Sequence, residues 1–323
     1  MKKNLFLILI LSISLITGCT AKSKTPQAEQ SSTPTTQEEN KTDDKPTTQS
    51  TFIMLKNKSE NLCDLYAKYP DKDVQLISPN VSTREQVTYL KKSNAILALD
   101  ADCSLIRYDK DGDSEVIAKG PLKDSIFYSH AGFSYMVSED ENVILYIPEN
   151  NSLYMKKGNN DRVKIGDNVE NFNMDETGQI ICYKDDAANL YLYKNGKKEK
   201  ISSDVMNFII INGSVYYRDF NAMVYLYKNG KTTPISQDAY NNALSRLEES
   251  KPYNLYEKNG TLYLGGKKVA DKVVNYAGNL AEIAYITTDN KLYVYNIKTK
   301  DKVLVLQNTA KYSTIYFEDK LLF

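Results

Sequence analysis

Tryptophan is absent from the 323 residues, and histidine occurs once, at His130. A single imidazole rules out a metal site of the usual His-rich kind, and any Ser-His-Asp arrangement would have to use that one residue. No G-x-S-x-G accompanies it, and Gly265-Gly266 has the spacing of a turn rather than of a phosphate-binding loop. Arginine is nearly as scarce, limited to Arg84, Arg107, Arg162, Arg218 and Arg246. Bidentate recognition of phosphates and base edges leans on that side chain, so nucleic acid is not an expected partner. Lys plus Arg and Asp plus Glu stand at 41 each, so the whole-chain charge attracts no particular partner and only its distribution can matter. Four cysteines, Cys19, Cys63, Cys103 and Cys182, show no C-x-x-C spacing. Three of them lie beyond residue 50, an odd number that cannot all pair within the chain. Buried thiols are the expectation, with a Cys63 to Cys103 bridge as the alternative.

Long apolar runs are missing too, except at the start. Lys2 and Lys3 precede an apolar stretch from Leu5 to Ile16 that is too short to span a bilayer and reads as a signal peptide over residues 1–18. Ile16-Thr17-Gly18-Cys19 resembles the bacterial lipobox. That resemblance implies cleavage before Cys19, a diacylglycerol on its sulfur, and a location at the outer face of the cell membrane, held by lipid. Residues 19–50 then carry little beyond Ser, Thr, Gln, Pro and charge, which cannot build a core and predicts a disordered tether.

From residue 51 the composition changes to short runs of Val, Ile, Leu, Tyr and Phe punctuated by Asn-Gly, Asp-Gly and other Gly turns, the marks of β-hairpins. One phrase occurs twice, Asn189-Leu190-Tyr191-Leu192-Tyr193-Lys194-Asn195-Gly196-Lys197 and Met223-Val224-Tyr225-Leu226-Tyr227-Lys228-Asn229-Gly230-Lys231. Weaker copies centre on Leu65-Tyr66, Leu105-Ile106, Leu153-Tyr154, Leu262-Tyr263 and Leu292-Tyr293, making seven. Around the best copy, Met206 to Ile211, Ser214 to Asp219, Val224 to Lys228 and Thr232 to Ile235 read as four strands, the content of one β-propeller blade. The expected fold is all-β: a propeller of about seven four-stranded blades over residues 51–323, with eight blades or an open arc as alternatives. Thr314 to Phe317, with Lys320 to Phe323, is the expected inner part of the first blade, closing the circle from the C-terminus.

Two stretches depart from the pattern. Tyr240, Ala243, Leu244 and Leu247 recur at helical spacing after Ser236 and before Pro252, which predicts a helix beside or in place of the first strand of blade six. Ser82 to Glu85 spells a helix-capping box, yet Val87 to Leu90 fits an inner strand, and the strand is preferred. Tandem L-Y-x-Y-K-N-G-K units behind a lipobox and a polar tether resemble the Tyr-rich β-propeller lipoproteins of clostridia and related Gram-positive bacteria, and more loosely the TolB-type propellers. The resemblance implies binding or scaffolding and brings no set of functional residues with it.

Candidate sites follow from charge placement. Hairpins joining third and fourth strands carry Lys194, Lys197, Lys198, Lys228 and Lys231, among other lysines, on one face of a propeller, opposite turns rich in Asp such as Asp100, Asp185, Asp219 and Asp289. This predicts a basic rim suited to an anionic wall polymer or lipid headgroups, although lysines at hairpin tips also serve simply to block edge-to-edge association. Asp109, Asp111 and Asp113 alternate around Gly112 as calcium ligands do, without the full loop and its terminal Glu. The expected role is non-enzymatic binding of a protein partner or wall polymer, with a carbohydrate-active enzyme or a ligand sensor on the same scaffold as the alternatives.

Overall fold

A computed structural model describes residues 49–83, 87–122, 134–148, 150–248, 254–317 and 320–321. Cys19, His130 and the Arg84-Glu85 half of the capping box lie outside them. The described chain forms seven antiparallel sheets, five of them four-stranded, one five-stranded and one three-stranded. Within the regular blades the strands follow one another in chain order, as in the sheet Val205–Ile211, Ser214–Asp219, Val224–Lys228 and Lys231–Ile235. The seven copies of the sequence phrase all fall on the strand next to the outermost one, the third of a four-stranded blade, and the chain is a β-propeller.

Why the phrase recurs is visible in the packing. Its leading aliphatic residue, Leu65, Leu105, Leu153, Leu190, Val224, Leu262 or Leu292, is buried to 3% exposure or less, and six apolar clusters each straddle two neighbouring blades. The following Tyr stacks on a Tyr of the second strand: Tyr146 with Tyr154, Tyr183 with Tyr191, Tyr217 with Tyr225, and Tyr285 with Tyr293, at centroid distances of 5.1 to 5.9 Å. A blade alone would leave both sets half-covered, so burial is completed only by the next copy. The Asn-Gly dipeptides at Asn195, Asn212, Asn229 and Asn259 have positive φ at both residues, the turn whose twist suits a two-residue hairpin.

The C-terminus closes the circle. Strand Thr314–Phe317 pairs antiparallel with Phe52–Asn57, matching Phe317 to Phe52 and Thr314 to Leu55, while Lys320–Leu321 adds a fifth, innermost strand. The capping-box question is answered by strand Thr88–Leu90. Among the described residues blade six has Leu255–Lys258, Thr261–Leu264 and Lys267–Ala270, and the helix Gln237–Glu248 occupies the chain where other blades place a first strand. Ser236 Oγ accepts the Ala239 N–H as its N-cap, and Tyr240 and Arg218 bring the helix against blade five, with Tyr216 and Tyr240 rings 6.3 Å apart.

This connectivity gives the propeller two unlike faces. Turns between first and second and between third and fourth strands share one, here termed the hairpin face. Turns between second and third strands share the other with the blade-to-blade connections. On that second face, the seam face, main-chain bonds run from blade to blade through connector residues in the left-handed region, Asn168, Asp204 and Lys272. Their carbonyls accept the N–H of Asp186, Phe220 and Thr288 in the next blade's turn, while the N–H of Val169, Val205 and Val273 reaches back to Asn151, Ala188 and Gly260 in the preceding one.

Candidate functional site: the two faces

Acids on the seam face are largely occupied by their own turns. Asp100 Oδ1 accepts the N–H of Asp102 and Ser104, Asp185 Oδ1 those of Ala187 and Asn189, and Asp219 Oδ1 those of Asn221 and Met223, at 2.8 to 3.1 Å. Tyr225 donates its hydroxyl to Asp219 at 3.3 Å. Asp289 takes Lys291 at 2.7 Å and the Thr287 hydroxyl, which together hold its carboxyl down at about 2. Shaping the turn thus explains why an Asp recurs on this face. Asp102 and Asp186 remain exposed, and Glu149 lies outside the described residues.

The same logic accounts for the calcium-like spacing. Asp109 Oδ1 accepts the N–H of Asp111 and Asp113, both at 2.9 Å, and Asp111 is paired at 2.7 Å with Lys72 of the neighbouring blade. The five-residue turn is capped by its first residue, and Asp111 and Asp113 enter it through their N–H groups. Among the described residues no group of three or more His, Cys, Asp or Glu is placed to hold a metal ion. Cys63, Cys103 and Cys182 are buried and none is in a disulfide, so the Cys63 to Cys103 bridge is not formed. Burial, and then Asp64, pushes the Cys63 thiol up to about 11, which leaves it unreactive near neutrality.

On the hairpin face the charge is divided. The third-to-fourth hairpins of blades four to seven carry Lys194, Lys197, Lys198, Lys200, Lys228, Lys231, Lys267, Lys268, Lys298, Lys300 and Lys302 against Glu199 and Asp301. Blades one and two present Asp71, Asp73, Asp109, Asp111 and Asp113 at the corresponding hairpins, and blades three and four add Glu139, Asp140, Glu141, Asp175 and Glu176 in first-to-second turns. A rim of one sign is therefore not what forms. The lysines make an arc over four blades.

Within that arc several lysines are engaged. Lys198 lies 4.5 Å from the Tyr191 ring centre and Lys302 lies 3.9 Å from that of Tyr293, capping the stacked pairs, and Lys268 pairs with Asp271 at 2.5 Å. Of the two opposing acids, Glu199 accepts the Tyr227 hydroxyl of the next blade at 2.8 Å. Desolvation and that bond push Tyr227 up to about 12. Lys194, Lys197, Lys228, Lys231, Lys267 and Lys298 are exposed, and no ion pair or hydrogen bond from their ammonium groups occurs among the described residues. Of the five lysines singled out from sequence, four thus project into solvent unopposed, while Lys198 helps hold its own blade.

A groove of about 380 Å³ opens on the same face between blades two and three, lined by Lys92, Arg107, Glu115, Glu141 and Lys156 among others. Its acids are committed: Glu141 accepts the Lys92 N–H at 2.6 Å and both the N–H and hydroxyl of Ser93, and Glu115 is 3.5 Å from Lys156. The groove is a seam between turns.

Sequence reasoning missed two features. The described chain begins on the hairpin face, where Gln49 N–H and Ser50 Oγ reach Glu282 of blade seven at 3.1 and 2.5 Å and Thr51 Oγ1 is 3.0 Å from the Tyr89 hydroxyl of blade two. Ser50 and Thr51 are 3% and 2% exposed, so packing starts ahead of residue 51. Nothing in their polar character separates them from the preceding stretch. The second is the start of the inner strands, where Val169-Glu170-Asn171, Val205-Met206-Asn207 and Val273-Val274-Asn275 each skip one residue in register. Buried Lys184 joins that bulge to the next blade, bonding Glu170 at 2.8 Å and the Met206 carbonyl at 3.3 Å. A thrice-repeated V-x-N was the available signal.

No protein-family model and no curated protein matches the chain. Among solved structures it is similar to the C-terminal WD40 domain of Sif2, at 11% identity and a TM-score of 0.36 over 84% of this chain and 90% of that one. It is also similar to the computationally designed Ika8 protein, at 9% identity and a TM-score of 0.33 over 86% of this chain and 97% of that one. The fold assignment rests on the sheet topology.

Proposed function

We propose that this protein is a membrane-anchored extracytoplasmic lipoprotein whose propeller acts as a non-enzymatic binding or scaffold platform. The observation that carries the anchoring is Ile16-Thr17-Gly18-Cys19 followed by a polar stretch that leads into a self-closing domain. Among the described residues no helix is long and apolar enough to cross a membrane. Support for a platform rather than a catalyst comes from how the acids are used. Asp100, Asp109, Asp185, Asp219 and Glu141 each have carboxylate oxygens bonded to backbone N–H groups of turns, positions that serve architecture. Exposed lysines are among the side chains left over for recognition.

Metabolic labelling with a fatty-acid analogue tests the anchor. Wild-type protein takes up the label and sediments with membranes, whereas the Cys19→Ala variant does neither. Wild-type protein that remains unlabelled would remove the lipoprotein reading while leaving the propeller untouched.

A further inference from the structure

We propose that the lysine arc of blades four to seven is a lipid-facing surface, which settles on anionic headgroups of the membrane that holds the chain; this deepens the lipoprotein reading and rests on it for the direction of approach. Two independent observations meet here. The first is the arc itself, in which Lys194, Lys197, Lys228, Lys231, Lys267 and Lys298 are exposed and Glu199, one of the two opposing acids, is held by Tyr227.

The second is where the chain enters the domain. Phe52 begins a second strand, and second strands of every blade begin on the hairpin face. Gln49 to Thr51 are fixed there by Glu282 of blade seven and Tyr89 of blade two. The described chain therefore begins on the same face as the lysines, and beside blade seven, where the arc ends.

Length makes the two observations act together. A coil of the length that separates Cys19 from Gln49 would reach on the order of 30 Å. That keeps the arc at high effective concentration over the headgroups, so individually weak contacts suffice. Screening over about 8 to 10 Å means that the attraction acts only once the hairpins are close, and that it fades with salt. Opposite the arc, blades one to three carry Asp71, Asp73, Asp109, Asp113 and Glu139 on the same face. These are repelled, so the domain settles tilted, with blades four to seven down and blades two and three lifted. A wall polyanion, by contrast, has no reason to prefer the face on which the described chain begins.

The test uses full-length protein in two arms. In the first, the Cys19→Ala form is mixed with vesicles of neutral phosphatidylcholine, with vesicles containing phosphatidylglycerol, and with soluble poly(glycerol phosphate). Binding is expected only to the anionic vesicles. It should fall about fivefold for each lysine removed, so that Lys194, Lys197, Lys228 and Lys231 changed to Glu together lose two orders of magnitude or more. In the second arm, acylated protein carries a fluorophore on Asn195→Cys in the arc or on Asn221→Cys on the seam face, and headgroup quenchers are added to the lipid. The arc label is expected to be quenched on anionic vesicles, and relieved by salt, while the seam label is not. Equal quenching of the two labels, or binding to poly(glycerol phosphate) with none to vesicles, overturns the proposal even if Cys19 is acylated. Lysine-dependent vesicle binding by a chain that cells never acylate would instead overturn the anchor and leave the arc standing.

Discussion

Closure of the propeller by its C-terminus is the most consequential packing in the molecule, and deleting residues 312–323 tests it. The deletion removes Tyr312, Ile315, Tyr316 and Phe317, which are 3%, 0%, 8% and 1% exposed, from the cores on both sides of blade one. At about 1.5 to 3 kcal/mol for each buried side chain, roughly 6 to 12 kcal/mol of apolar burial goes with them, an upper estimate because an unfolded chain is itself partly compact. Net stabilities are on the order of 5 to 15 kcal/mol, so the truncated protein should lose most of its cooperative folding. The strand Phe52–Asn57 would also be left as an exposed edge, open to pairing with other chains. A graded version is Phe317→Ala, which empties the site against the Phe52 ring 5.4 Å away and should cost about 3 to 5 kcal/mol, or a melting midpoint lower by roughly 10 °C. Removing residues 20–44 is the control and should leave the midpoint unchanged. Circular dichroism melts of the variants decide the matter. A truncated protein that melts like the full domain would refute closure, since it would show that blade one needs no inner strand.

Two further outcomes follow. Ala188 and Ala222 sit at φ 59° and 64°, which costs a non-glycine residue about 1 to 2 kcal/mol, while glycine would add about 0.4 to 1 kcal/mol of unfolded-state entropy. Each Ala→Gly change should therefore stabilise by about 0.5 kcal/mol in denaturant titrations, and destabilisation would show that the turn geometry is misjudged. Burial raises the hydroxyls of Tyr69, Tyr183 and Tyr285 and, with Glu199, takes Tyr227 up to about 12. Because the folded state holds these protons more tightly than the unfolded chain, their stabilisation is complete below the ordinary tyrosine value of about 10 and is lost as pH rises through the folded values. Tyrosinate absorbance should then appear in two stages, with the second coinciding with loss of near-ultraviolet circular dichroism. A single stage with the fold intact would contradict the burial.

Architecture was legible in the chain because one residue pair answers to two demands at once. In Leu190-Tyr191 the Leu fills the seam to the next blade and the Tyr stacks on Tyr183, so both types recur wherever a third strand does. The strands read as Ser214 to Asp219 and Val224 to Lys228 have those same bounds in the structure. Inner strands were read less well, because the bulge at Glu170, Met206 and Val274 breaks the alternation. Charge was harder still. Whether Asp185 faces a ligand or caps its own turn depends on the direction of two N–H groups, and whether Lys198 reaches solvent or a Tyr pair depends on register. Neither is written in residue type. The polarity of Ser50 and Thr51 likewise gave no sign that Glu282 and Tyr89 would hold them.

The hydrogen bonds that stitch one blade to the next across the seam face belong to main-chain atoms, and the residues supplying them are as unlike as Asn168, Asp204 and Lys272. Peptide groups survive substitution. Most side chains on that face can therefore drift under selection, provided the Asp at the head of a turn is kept, while the joints between blades persist. A surface whose mechanical integrity is separated from its outward chemistry is free to diversify. In descendants of this chain, new partners would more readily be acquired there than among the lysine hairpins.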